Sequence, residues 1–505
     1  MRQYEKKAIK DTLKLLQRLH ILVGQAVSAK NYKAAGDALT QGQQGAIELG
    51  TKIEERAGEG TRTVHLLEAY CEQVWQFSRK IPGISGNTIR SGLDAVIDNV
   101  RESLDELDWE PFRVLFLPYK ASMWTAFDSI YRSAAKDECC EAAVVAIPYY
   151  EIGNKLKEPV FCYEKEKFPS DIPITDWQEY SLEKEHPDMI FIHNPYDDGN
   201  NLTSVHPFYY SDNLKKHTAC LIYSPYFTIG GYTRGKSDFH YINKGTVNAD
   251  KVIVQSEFVE KIYESYGYHA DKFLSCGSPK ADYVIQNMNS RLQLPKEWEE
   301  KLSGKKVFLL NTHLSYFPSG YSYKDYWGYN FAEVYHNQLL RAIRERKDCG
   351  LIWRPHPLLF TMVHTRFPEC EEYVNHLREE LEHSDNCVID TSGDYRNAFG
   401  CSDALISTYS SLNHEYLITG KPVMIFQTPP TDAGGERSPI DFRTCYFRFG
   451  REDKMTFGAF MDMVCRGEDP KREERIGMLG SKAFANLNGT AGVEIWNSLK
   501  QWMAE

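Results

Sequence analysis

The sequence predicts an α/β protein with two doubly wound sheets behind an all-helical N-terminal region. Three observations predict it. Residues 1–110 repeat apolar side chains at helical spacing, with Ile9, Leu13, Leu16 and Val23 on one stripe. From about residue 112 short apolar runs alternate with helix-like stretches. That alternation then starts again after a charged, proline-containing stretch, "LQLPKEWEEKLSGKK" (292–306). A chain of 505 residues is too long for one core, so two sheet domains are a natural reading.

Each element has a local reason. "AGEGTRT" (57–63) breaks one N-terminal helix from the next. "RVLFL" (113–117) reads as a buried strand, and "SMWTAFDSIYRSAAK" (122–136) as a helix with Ser122 at its N-cap. Strands follow at "AAVVAI" (142–147), "MIFIH" (189–193), "ACLIYS" (219–224) and "KVIVQS" (251–256). A helix is expected from Glu257 to about Tyr266. In the second series the strands are "VFLLNT" (307–312), "GLIWR" (350–354), "NCVID" (386–390), "DALIS" (403–407) and "PVMIF" (422–426). A helix is expected around 330–347 and another at the C-terminus, 488–505. The expected domains are 1–110 (helical), 111–290 (first sheet), 291–485 (second sheet) and a terminal helix at 486–505.

Composition excludes several classes. A net charge of −11 argues against a nucleic-acid binder, which carries a basic face. The 12 cysteines are scattered without metal spacing and read as reduced core thiols of a cytoplasmic protein. No apolar run approaches the roughly 20 residues that span a bilayer, and the charged N-terminus lacks a signal-peptide core. The first helix carries Arg2, Lys6, Lys7, Lys10, Lys14 and Arg18. Such a basic stripe in residues 1–25 fits an anionic membrane surface, making the protein peripheral on the inner face of the membrane. The more ordinary reading is a face packed on a neighbouring helix or on another subunit.

Ligands of doubly wound sheets bind beyond the carboxyl ends of strands. There the second series places Asn311, Thr312 and His313, then Arg354 and His356 in "RPHP". It also places a hydroxyl cluster, Ser407, Thr408, Ser410 and Ser411, followed by Glu415. Helix starts and serine hydroxyls offer donors to phosphate, arginine offers fixed charge, and an acidic residue suits ribose hydroxyls. Plain helix capping also explains the serines. In the first series Lys120 and Ser122 follow a strand at a helix start, and His193, Asn194, Asp197 and Asp198 follow another. His193 is the expected base, with Asp197 or Asp198 orienting it. Two adjacent aspartates without a nearby His or Asp at ligand spacing are a weak metal signal.

"IWRPHP" followed by "ALISTYSSLNHEYLITGKPVMIF" resembles the CDP-glycerol glycerophosphotransferase family, the teichoic acid primases and polymerases. "GSPKAD" (277–282) resembles the segment that closes that family's first domain. The resemblance spans about 275–430. It implies a GT-B fold, two Rossmann-like domains facing across a cleft, with the nucleotide donor held in the C-terminal one and no metal or cofactor needed. It implies that Ser410, Ser411 and His356 bind the donor's phosphates or polyol, that Glu415 lies in the donor pocket, and that Lys280 lies near the cleft on the acceptor side. Thr408 stands where the family has aspartate. The family's first-domain histidine motif is absent, and the comparable strand end reads "LIYSPYFTIGGYTRG" (221–235).

The expected function is transfer of a polyol phosphate from a CDP-activated donor to a hydroxyl of a cell-envelope glycan or lipid-linked acceptor, releasing CMP. One alternative is a GT-B glycosyltransferase using a nucleotide sugar. Another is a nucleotide-binding scaffold of weak catalysis, with the helical region contacting a partner or a second copy.

Overall fold

The computed structural model describes residues 1–152, 158–200, 203–230, 235, 238–288, 293–312, 338–356, 359–366, 371–408, 410–425, 438–449 and 455–504. Its contacts divide the chain into two compact units. One comprises Met1–Arg113, Glu138–Glu141 and Asn497–Glu505; the other comprises Val114–Asp137 and Ala142–Trp496.

The first unit is built on four helices, Gln3–Ser28, Tyr32–Ala57, Arg62–Lys80 and Gly86–Ser103, packed in a ring with the first against the second and fourth. Asn31, Thr61 and Ser85 cap the last three by accepting from the amides of Ala34, Val64 and Thr88. The apolar stripe of the first helix lies inside, with Leu13, Leu16 and Val23 buried against Leu39, Ile53, Leu67 and Leu93. Helices one and four touch backbone to backbone: a Cβ on Gly86 would lie 2.3 Å from the Gly24 carbonyl oxygen. The basic stripe is largely engaged within this unit. Lys6 bonds Asp105 at 3.0 Å and lies over Trp109; Lys7 lies 4.3 Å from the Trp502 ring; Lys10 bonds the Ala504 carbonyl. The packing reading of that stripe therefore has direct contacts behind it.

The second unit holds two main sheets. The first runs in the order Phe273–Leu274, Lys251–Ile253, Cys220–Tyr223, Met189–Ile192, Phe112–Leu117, Cys140–Ala146, Thr175–Asp176. The second runs Cys387–Ile389, Cys349–Pro355, Lys306–Thr312, Ala404–Ser407, Val423–Ile425, Phe447–Arg448, with every pairing parallel. Strands such as Phe308–Leu310, Leu351–Trp353 and Ala404–Ile406 are buried throughout, as a sheet covered on both faces requires. A small antiparallel sheet, Val160–Cys162, Tyr149–Glu151 and Thr203–Val205, is appended to the first.

The sequence pattern located ten of these strands, most ends to within a residue or two; Phe273–Leu274, Thr175–Asp176, Phe447–Arg448 and the small sheet were not read from it. One helix differs. Instead of a helix over 122–136 capped by Ser122, a 3₁₀ turn covers Ala121–Ala126 and the α-helix covers Asp128–Ala135. The reason is the Trp124 indole, which turns inward and donates to Asp128 Oδ1 at 2.8 Å. The expected helix around 330–347 falls mostly outside the described residues, where Arg341–Arg344 is helical.

Candidate functional site

In both sheets the strand order reverses beside the strand that the chain enters first, and a crevice opens at such a point. In the second sheet the first strand is Lys306–Thr312, flanked by Cys349–Pro355 and Ala404–Ser407. Parallel register sets Asn311 beside Arg354 on one side and Ser407 on the other. Three residues singled out from distant parts of the sequence thus share the carboxyl edge of adjacent strands. The Asn311 side-chain oxygen is buried and makes no hydrogen bond. Arg354 is also buried, but its guanidinium forms an ion pair with Asp390 and donates to the Ser392 carbonyl at 3.0 Å. Its charge is therefore compensated, by a carboxylate at the end of the next strand that sequence reading missed. The rule that found Arg354 also marks Asp390, because both sit just past a strand. His356, partly buried, donates its backbone N–H to the Thr312 carbonyl at 2.9 Å. His313 lies outside the described residues.

The hydroxyl loop is tightly organised. Ser407 Oγ donates to Asn413 Oδ1 at 2.6 Å, and Asn413 Nδ2 donates back to the Thr408 carbonyl at 2.6 Å. Thr408 is buried, with its backbone N–H on the Asn311 carbonyl at 3.2 Å. Ser410 occupies the N-cap position of the helix Ser411–Leu417, yet its hydroxyl makes no capping bond; it points toward Asn413 Oδ1 at 3.4 Å. Ser411 is exposed. Simple capping therefore does not account for Ser410.

In the first sheet, Phe112–Leu117 and Met189–Ile192 are adjacent, and the residues beyond them meet. The Tyr119 backbone N–H donates to His193 Nε2 at 3.1 Å. That bond requires a lone pair on Nε2, so the proton sits on Nδ1, which is buried without a partner. Burial, and then the charge of Lys280, push the His193 pKa down to about 3. Such a ring donates from Nδ1 readily and accepts a second proton poorly. His193 thus offers an Nδ1 donor that can hold an oxygen. Asp197 does not orient it. The Asp197 carboxylate accepts from Ser211 N–H at 3.1 Å and Ser211 Oγ at 2.7 Å, fixing the start of the helix Ser211–Leu214. Asp198 pairs with Lys244 at 2.7 Å. Lys120 is buried with its ammonium 4.4 Å from the Tyr149 ring, toward the small sheet, and burial lowers its pKa.

The two sheet domains meet at Lys280. It lies in the helix Pro279–Met288, and its ammonium is 3.1 Å from Glu415 Oε1 and 3.0 Å from the Tyr226 carbonyl. Both partners of that ion pair are buried, with side chains 8% and 4% exposed. Two residues expected on opposite sides of a cleft are thus in contact. Nearby, a Cβ on Gly230 would fall 1.8 Å from His414 Nε2, and Ser438 Oγ donates to the Gly230 carbonyl at 2.5 Å. Ser122, partly buried, faces the second sheet domain: a Cβ on Gly393 would lie 3.9 Å from its Cα. Sequence reading gave no sign of Thr125 or Tyr395, whose buried hydroxyls lie together beside Glu415.

Among the described residues, the group of acidic and thiol side chains close enough to share a cation is Asp348, Cys349 and Cys465. It lies at the amino end of the strand Cys349–Pro355, away from this junction, and the Arg346 guanidinium already contacts Asp348 at 3.3 Å.

Residues 229–431, which include Gly230, Lys280, Arg354, Ser410 and Glu415, match the model of the family described as CDP-glycerol:poly(glycerophosphate) glycerophosphotransferase. The resemblance read from the motifs holds over that segment, about two fifths of the chain. Among solved structures, the wall teichoic acid polymerase TagF is similar with a TM-score of 0.50 at 14% identity, over 88% of this chain and 98% of that one. That likeness shows the fold, a GT-B-like pair of Rossmann-type domains. A UDP-N-acetylglucosamine 2-epimerase is similar with a TM-score of 0.47 at 12% identity, over 78% of this chain and 97% of that one. No curated protein matches the chain. Among the described residues no helix is long and apolar enough to cross a membrane.

Proposed function

We propose that this protein transfers a polyol phosphate from a CDP-activated donor to a hydroxyl of a glycan or lipid-linked acceptor and releases CMP. The observation that carries the reading is the family match over 229–431, because the junction residues Lys280 and Glu415 and the strand-end residues Arg354, Ser410 and Ser411 all fall within it. The acceptor oxygen attacks the β-phosphorus, the bond from that phosphorus to the CMP oxygen breaks, and the acceptor proton leaves. Charge spreads over phosphoryl oxygens, so catalysis is mainly positioning and aimed donors.

The residues divide these tasks. Lys280 supplies the cation at the junction, and the donor's phosphate takes Glu415's place beside it. Ser410, Ser411 and the Nδ1–H of His193 supply neutral donors. Arg354, already neutralised by Asp390, shapes the strand edge more than it attracts an anion. His356, partly exposed, receives the acceptor proton. The reaction is proposed to need no metal.

Two measurements check this reading. Protein incubated with CDP-glycerol, CDP-ribitol or UDP-sugars and a membrane or saccharide acceptor is expected to release CMP from a CDP-polyol. Release of UDP instead would make it a nucleotide-sugar glycosyltransferase, and thermal stabilisation by CMP without turnover would make it a scaffold. His356→Ala is expected to lower kcat by about 10²–10⁴-fold with little change in donor KM. A loss below about tenfold would remove His356 from the proton-transfer role.

A further inference from the structure

Two cysteines far apart in sequence meet sulfur to sulfur in the second sheet domain. Cys349 opens the strand Cys349–Pro355, and Cys465 closes the helix Phe457–Cys465, whose apolar face joins the same core. Both are free thiols, and their Sγ atoms lie 3.7 Å apart. A disulfide needs about 2 Å between the sulfurs, a gap that rotation about the two Cα–Cβ bonds can close.

The two thiols are not equivalent. Cys349 is fully buried in the core, while Cys465 is partly exposed. The Arg346 guanidinium donates to Cys465 Sγ at 3.5 Å. A cationic donor there stabilises the negative charge that a sulfur carries as it attacks. Burial, and then the neighbouring Cys465 sulfur, push the Cys349 thiol pKa up and keep it protonated. One sulfur is thus within reach of solvent, and the other is held behind it. A metal ion suits the same group less well, because Arg346 brings its positive charge to Asp348 at 3.3 Å and to Asp462.

We propose that Cys465 and Cys349 form an oxidation site, in which Cys465 reacts with an oxidant of the peroxide class and Cys349 resolves the product to a disulfide. The Cys465 sulfur attacks one peroxide oxygen, the O–O bond breaks, and the departing hydroxide takes the Cys465 proton as water. The Cys349 sulfur then attacks the sulfenic sulfur, the S–O bond breaks, and the oxygen leaves as water with the Cys349 proton. The two thiols together lose two electrons, and the peroxide gains them. The new bond joins positions 116 apart, and the loop it closes contains Arg354, Asp390, Ser410 and Glu415. Cross-linking so long a segment removes freedom mainly from the unfolded chain, so it stabilises the second sheet domain. The pair lies at the amino end of the strand whose carboxyl end carries Arg354, so the bond acts on stability and leaves the strand-end residues in place.

The test treats full-length protein with hydrogen peroxide, blocks the remaining thiols by alkylation and maps the peptides by mass spectrometry, beside thermal melts with and without dithiothreitol. A cross-linked peptide pair carrying Cys349 and Cys465 is expected, with Tm raised by several degrees and the rise lost on reduction. Cys465→Ser is expected to give neither the cross-link nor the rise. In Cys349→Ser the sulfenic acid has no resolving thiol, so dimedone is expected to trap it at Cys465. Wild-type protein in which Cys465 is fully alkylated, or oxidised to sulfinic acid, without a cross-link to Cys349 overturns the proposal, whether or not the variants fold. A cross-link that leaves Tm unchanged or lowers it overturns the stabilising role. Cadmium bound with a sulfur-to-metal absorbance band, and no cross-link under peroxide, overturns the proposal in favour of a metal site.

Discussion

At the scale of residues, the Lys280–Glu415 pair dominates the junction. Both charges are buried, so removing one partner strands the other in a low-dielectric setting, which costs about 3–5 kcal/mol. Glu415→Ala is therefore expected to lower urea-unfolding stability by that amount, and the Lys280→Met/Glu415→Leu double variant by much less. Equal losses in single and double variants would show that the two charges do not interact. The buried histidines give a second prediction. Burial lowers the pKa of His193 and His414 to about 3 and of His240 to about 4. The unfolded chain titrates these groups near 6.5, so between about pH 6.5 and 4 it binds more protons than the folded one. Stability from these neutral rings is present above pH 6.5 and lost as pH falls toward the folded values. Tm is expected to drop steadily from pH 7 to 5, with uptake of about three protons per unfolding event near pH 5. A flat Tm across that range would contradict the buried neutral rings. Lys280, Glu415, Arg354 and Asn311 were each legible in the sequence as strand-end or motif residues. Their pairings were not, because Arg354 meeting Asp390 and Lys280 meeting Glu415 depend on register and domain closure. Thr125 and Tyr395 carried no signal at all, since a threonine and a tyrosine in ordinary helix-forming stretches look like core.

At the scale of elements, two glycines set how closely segments approach. Gly277, at φ +100°, precedes the Lys280 helix, and a Cβ there would lie 2.5 Å from the Ala485 carbonyl oxygen. Gly277→Ala combines left-handed strain with a backbone clash and is expected to destabilise by about 2 kcal/mol or more. Denaturant unfolding checks this, and a neutral result would mean that the 277–279 turn moves freely. Gly230 reads out function more than stability: a side chain there meets the His414 ring, so Gly230→Ala is expected to push the two sheet domains apart and raise donor KM. The strands of both sheets were readable because each is a short, continuous apolar run bounded by polar residues. The 3₁₀ turn at Ala121–Ala126 was not, because one inward tryptophan, Trp124, overrides a helical pattern that local sequence supports. The hydroxyl loop sharpened rather than changed: Ser410 holds the cap position but makes no capping bond.

At the scale of the whole molecule, two parallel sheets bring their reversal points and carboxyl ends to one junction, and the family match covers Gly230, Lys280, Arg354, Ser410 and Glu415 among the residues there. The fold class was legible because the βα alternation runs twice through the chain. The N-terminal stripe was ambiguous in sequence, since a basic amphipathic helix packs or binds membrane with the same pattern. Here Lys6, Lys7 and Lys10 are occupied by Asp105, Trp502 and the Ala504 carbonyl. Binding to anionic vesicles is accordingly expected to be weak and to depend on Arg18, measurable by co-sedimentation of wild type and an Arg18→Glu variant. The central claim is donor chemistry, and ³¹P NMR of CDP-glycerol with this protein and an acceptor tests it most directly. The paired pyrophosphate resonances are expected to decay as the CMP monoester resonance and a new phosphodiester resonance grow together. Pyrophosphate resonances that persist unchanged across CDP-polyols and acceptors would contradict it.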